Sequence, residues 1–152
     1  MKEYNMHNRP SVPELYKPEW VVEGELARSQ RPGYPKDKPS SSVMKDWMET
    51  VLSLGIRSVI CIMDQNQVDK YNGIDNIGDG LFSFYKKNGL TVHHMNVEDY
   101  KKPPLNESEV ELVLKAYSEL EKPVLIHCSA GKDRTGKAVA SITGSDNFGL
   151  WS

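Results

Sequence analysis

Two short runs, "SVICIM" (Ser58–Met63) and "PVLIH" (Pro123–His127), constrain the fold most, because apolar residues follow one another in them with almost no polar alternation. A strand with one wet face alternates; a near-continuous run rich in β-branched residues is covered on both faces, as central strands of parallel sheets are. Parallel neighbours need long crossovers, usually helical, and the intervening segments supply them. From Ser42 onward Val43, Trp47, Val51, Leu52 and Leu54 recur at helical spacing, and Gly55 stands where a helix-ending glycine belongs. Asn106 opens a second helix running to about Glu121. Glu109 completes its capping box, and Val110, Leu112, Val113, Leu114, Tyr117 and Leu120 form its apolar face. A further strand is predicted at Leu90–Val97, a weak helix broken by Gly78 and Gly80 before it, and a last helix opening near Arg134. The expected fold is α/β: a central, mostly parallel sheet flanked by helices, with its site at the carboxyl ends of the strands.

The ends of the chain read differently. Residues 1–19 carry Pro10, Pro13 and Pro18 among polar residues and are expected to form an extended arm. Residues 20–143 are expected to form one domain, starting with a hairpin in Trp20–Ser29 that turns at Glu23–Gly24. Residues 144–152 read as an irregular, shortened tail. That shortening predicts a thin helical layer and a poorly covered sheet. The 152 residues suffice for a single core, and the net charge of -2 offers no general basic field, so no nucleic-acid partner is expected. No apolar run approaches the roughly 20 residues that cross a bilayer. Two cysteines and an N-terminus without an apolar signal core suggest the cytoplasm. His93 and His94 are adjacent on a predicted strand, point to opposite faces and cannot clamp a metal together.

One stretch is too specialised for packing alone: "VLIHCSAGKDRTG", Val124–Gly136. A strand, a tight loop and a helix opening gather backbone N–H groups around one point, an anion nest at a positive helix end. Cys128 is the first residue of that loop, where amides, helix dipole and a nearby guanidinium favour thiolate over thiol. Arg134, six positions on, offers a planar fork that matches two phosphoryl oxygens. The combination points to sulfur attacking phosphorus. A nucleotide-binding pattern overlaps it, since "GKDRTGKA" falls one residue short of G-x-x-x-x-G-K-[ST], but Ala138 stands where the metal-binding hydroxyl is needed.

The motif His-Cys, five residues, Arg-Thr-Gly resembles the phosphate loop of the Cys-based protein tyrosine phosphatases. "WVVEGELARSQRP", "LGIRSVICIM" and "LTVHHMNVEDYKKPP" fall in the order and spacing of its small dual-specificity branch. The resemblance implies a cysteinyl-phosphate mechanism on Cys128 without metal or cofactor. Phosphate would lie on the loop residues Ser129, Ala130, Gly131, Lys132 and Asp133 and on Arg134. Asp99, in an Asp-x-x-x-Pro loop, would serve as general acid with Glu98 as fallback. Thr135 would hydrogen-bond the sulfur, and His127 would support the loop from beneath. The implied substrates are phosphotyrosine, with phosphoserine and phosphothreonine, or else inositol phosphates or a phosphorylated lipid headgroup, a choice toward which Lys132 leans. A phosphate-binding protein without activity is the alternative of another class. Lys101, Lys102 and Lys137 could join Lys132 in a positive rim. Family members that keep a second cysteine on the preceding strand also make Cys61 a possible redox partner of Cys128.

Overall fold

The computed structural model describes residues 17–145. Most of the expected N-terminal arm, and the tail from residue 146 onward, lie outside the described residues. Five strands form one sheet: β1 (Glu19–Val22), β2 (Leu26–Ser29), β3 (Ser58–Ile62), β4 (Thr91–Met95) and β5 (Val124–His127), in the order β1-β2-β5-β3-β4. β1 and β2 form the expected antiparallel hairpin, while β2–β5, β5–β3 and β3–β4 are parallel. The apolar runs behave as their composition demands, for every residue of β3 and β5 is buried.

Helices α1 (Ser41–Ser53), α2 (Gln65–Asp69), α3 (Leu81–Lys87), α4 (Glu107–Glu119) and α5 (Asp133–Thr143) cover the sheet. Alternation along the strands sends Ala27, Val59, Cys61 and Leu125 to one layer, where Met44, Trp47, Met48 and Val51 of α1 and Leu81, Phe84 and Tyr85 of α3 meet them. Leu26, Ile60, Ile62, Val124 and Ile126 face the other layer, against Val113 and Ala116 of α4 and Ala138 and Val139 of α5.

Four sequence expectations need correction. The sheet is not poorly covered: α5 is short, yet Ala138 and Val139 are fully buried and Ile142 packs beside them before Gly144 ends the helix in left-handed conformation. The apolar face of α4 is narrower than expected, since Leu112 and Leu114 are exposed and the buried stripe follows Val110, Val113, Ala116 and Tyr117. The weak helix shrinks to Leu81–Lys87, because left-handed Asn76 and Gly78 precede it. And α2 was not expected at all. It spans five residues, too few to show periodicity, and is started by Asp64, whose carboxylate accepts from the Gln67 N–H while the Gln67 side chain accepts from the Asp64 N–H.

Candidate active site

The loop Cys128–Lys132 leaves the carboxyl end of β5, which lies between β2 and β3, and runs straight into α5. The positive end of an eleven-residue helix therefore stands behind the loop. Gly131 has φ +78, and a Cβ there would stand 2.7 Å from the Ser29 carbonyl oxygen, so the loop closes against β2 only with glycine. Cys128 is 2% exposed; Lys132 and Asp133 are on the surface.

Arg134 is almost wholly buried, and its guanidinium divides into two functions. Nη1 donates to the Val97 carbonyl at 2.8 Å and to Gln67 Oε1 at 3.1 Å, which fixes the plane of the group. Nε and Nη2 have no hydrogen-bond partner among the described residues. Asp99 Oδ2 lies 3.1 Å from Nη2, an ion-pair contact without hydrogen-bond alignment. The edge of Arg134 that matches an oxyanion bidentately thus carries no aligned hydrogen bond, although Asp99 pairs with its Nη2. The two acidic candidates separate here: Asp99 reaches Arg134, whereas exposed Glu98 lines a different, open cleft with Asp64, Asn96 and Glu109.

The support beneath the loop is polar and paired. His127 Nδ1 lies 2.9 Å from the Cys128 carbonyl, which can only accept, so Nδ1 carries the proton and Nε2 accepts from the Tyr85 hydroxyl at 2.8 Å. Trp47 stacks on Tyr85 and donates to Ser29 Oγ, locking the ring that orients the histidine. Burial holds the His127 imidazole down to about 4, the hydrogen bond to Cys128 offsetting part of this and Arg31 and Arg134 adding to it. The unfolded chain takes up this proton below about pH 6.5 while the folded protein refuses it until about 4. Stability should therefore fall by about 3 kcal/mol as pH drops through that window, and His127 should add no dependence above it. Urea unfolding between pH 7.5 and 4.5 measures the slope. His127→Asn, which keeps a donor for the Cys128 carbonyl, should flatten it; an unchanged slope would assign it to other groups.

Two arginines that sequence reasoning passed over complete the support. Arg28 Nη2 donates to the Gly131 carbonyl at 2.6 Å, and Arg31 Nε to Ser129 Oγ at 3.0 Å, while the Arg31 N–H bonds the Ser129 carbonyl. Both side chains are buried. Gln67 was missed with α2, although Asp64-x-x-Gln67 is a capping signal in the sequence.

Other expectations fare unequally. The Thr135 hydroxyl is fully buried and, among the described residues, has no hydrogen-bond partner, the sulfur included. Lys101 is no rim lysine; its ammonium is held by both oxygens of Glu109, at 2.9 and 3.1 Å, and ties the Asp99 loop to α4. Cys61 pairs in register with His127, and alternation puts it in the layer opposite to Cys128. Both thiols are free, and burial raises the Cys61 thiol well above its ordinary value, with Cys128 adding to the rise. In the overlapping nucleotide pattern Gly136 and Lys137 lie within α5, where they form no phosphate loop.

A buried thiol thus opens the loop that leads to a held guanidinium, itself in contact with a carboxylate. The model of the Tc-R-P family, described as polymorphic toxin system, DSP-PTPase phosphatase, matches residues 36–145. The chain belongs to the Tc-R-P phosphatases. It is therefore a phosphatase of the dual-specificity type. Solved structures agree on the fold. The Siw14 catalytic core superposes with TM-score 0.55 at 22% identity, covering 87% of this chain, and the chain spans 66% of that core's length. Tk-PTP in its active form gives 0.53 at 16% identity, covering 95% of this chain and 90% of that one. PTPMT1 in complex with PI(5)P gives 0.50 at 12% identity, covering 78% and 66%. A separate structure of the core catalytic domain of the PP-IP phosphatase SIW14 from S. cerevisiae, in complex with citrate, gives 0.51 at 20% identity, covering 86% and 68%. No helix among the described residues of this Tc-R-P phosphatase is long and apolar enough to cross a membrane.

Proposed function

We propose that the chain hydrolyses phosphate monoesters through a phosphoryl group carried on Cys128. The observation that carries this reading is one edge of Arg134: Nε and Nη2 stay without hydrogen bonds in a buried guanidinium whose Nη1 is anchored. Asp99 offsets its charge, and an oxyanion would supply the hydrogen bonds that this edge lacks. Phosphate would place two oxygens on that edge and the rest on the amides of Ser129 to Asp133. The Cys128 thiolate then attacks phosphorus, an S–P bond forms and the ester P–O bond breaks. Asp99, carried as the acid, gives its proton to the departing oxygen. In the second half water attacks phosphorus, Asp99 takes a proton from it, and the S–P bond breaks to release inorganic phosphate. The buried Thr135 hydroxyl, lacking a partner, would turn to the departing sulfur.

Phosphotyrosine, with phosphoserine and phosphothreonine, is the first substrate class. Phosphorylated inositols are the second, favoured by a donor-lined cavity beside Ser129. The role of Asp99 is tested by leaving groups. Asp99→Asn should slow hydrolysis of phosphoserine by roughly 10²–10³-fold, the range of general acid catalysis, and that of 4-nitrophenyl phosphate far less, because nitrophenolate leaves without a proton. Equal losses on both substrates would remove Asp99 from the proton transfer, and the same pattern in Glu98→Gln would move the role by one residue.

A further inference from the structure

Beside the phosphate loop lies a cavity of about 80 Å³ lined by Arg31, Asp37, Gln67, Lys70 and Ser129. Three segments meet in it: the chain after β2, the helix α2 and the loop after β5. Arg31 is 7% exposed. Its Nε donates to Ser129 Oγ, and its Nη1 to the Lys36 carbonyl at 2.7 Å and to the Tyr71 hydroxyl at 3.1 Å. Gln67 spends its oxygen on Arg134 Nη1 and the Asp64 N–H, which leaves its amide nitrogen as a donor. Lys70 adds an ammonium that sits 3.4 Å from Asp37 Oδ1, both side chains being largely exposed.

The lining therefore gathers a guanidinium, an amide and an ammonium against one carboxylate, a donor-rich wall that suits an anionic group. It also touches the phosphate site twice. Ser129 belongs to both, and Gln67 holds Arg134 with one end of its amide while lining the cavity. Arg31 precedes the residues that the family model matches.

We propose that this cavity is a subsite for a second phosphoryl group. Resting on the phosphatase reading above, this makes the substrate a small polyol with two phosphoryl groups on neighbouring carbons, one over Cys128 and one held by Arg31, Gln67 and Lys70. Asp37 weakens the subsite by competing for Lys70.

Calorimetric titration of the full chain with inositol 4-phosphate and inositol 4,5-bisphosphate tests the subsite directly, and turnover of 4-nitrophenyl phosphate is followed alongside. The bisphosphate should bind about tenfold tighter than the monophosphate, the scale of hydrogen bonds to a charged group. Lys70→Gln should lower that ratio about threefold and Asp37→Asn raise it about threefold, as expected of partly exposed charges. Both variants should hydrolyse 4-nitrophenyl phosphate like the parent, since neither residue touches the reacting phosphate. Equal affinities in the parent, or a ratio that neither variant moves, would overturn the subsite. Failure of the parent to hydrolyse 4-nitrophenyl phosphate would instead overturn the phosphatase reading and leave the binding ratio to decide the subsite. Vesicles carrying phosphatidylinositol 4,5-bisphosphate form a second arm. Capture that is weakened by Lys70→Gln supports the subsite with a lipid-borne headgroup, and binding of the free headgroup alone supports it with a soluble substrate.

Discussion

Cys128→Ser should abolish turnover of every phosphate ester while leaving tungstate binding intact. The nucleophile becomes an alcohol that is scarcely ionised at neutral pH, and removing a covalent nucleophile costs on the order of 10⁶-fold in rate when its partners act with it as a unit. The binding half of the expectation comes from the surroundings. Cys128 is 2% exposed, and serine differs from it by one atom, so the loop keeps its shape. Arg28 still holds the Gly131 carbonyl, Arg31 still holds Ser129, and Arg134 keeps Nη1 on Val97. An oxyanion then meets the same donors, and should bind as tightly as in the parent. Thermal shift with tungstate and turnover of 4-nitrophenyl phosphate on the same preparation read both halves. Hydrolysis retained within tenfold would end the covalent mechanism, and loss of tungstate binding together with turnover would mean that Cys128 shapes the loop.

What was legible in the sequence follows from how far apart the cooperating residues lie. Cys128 and Arg134 share one loop and one helix start, so the pair could be read as contiguous candidates, and the apolar runs of β3 and β5 announced a sheet buried on both faces. The Asp-x-x-x-Pro loop singled out Asp99 as a candidate, and in the structure Asp99 contacts Arg134. Arg28 and Arg31 were not legible. An arginine read from sequence defaults to the surface, and these become buried parts of the site only through partners 103 and 98 residues away. Gln67 failed for a different reason, since a helix of five residues has no period to detect and only its capping pair marks it. Thr135 is a different case: the family pattern suggests a bond to sulfur, and among the described residues the buried hydroxyl has no partner.

Arg134→Lys should cost both turnover and oxyanion binding, although it preserves the positive charge. A lysine ammonium is a point charge with no planar fork, so it cannot bond Val97 and Gln67 on one side while presenting two parallel donors on the other. Each donor lost to the transition state is worth roughly 10²–10³-fold, and the substitution removes at least one of the two. A fall in kcat/KM of about 10³-fold is expected on that scale, with tungstate affinity weakened in parallel, unlike the serine variant. A structural cost comes with it. The Val97 carbonyl loses the Nη1 donor, and a buried acceptor left unpaired costs about 1–3 kcal/mol. The Gln67 oxygen still accepts from the Asp64 N–H, so α2 should keep its cap and the fold should survive. Urea unfolding separates the two effects, since a folded variant with lost activity and weak tungstate binding isolates the fork. If Arg134→Lys keeps a tenth of the parent's kcat/KM, charge alone suffices at this position, and the Nε and Nη2 edge of the guanidinium is not what holds the transition state.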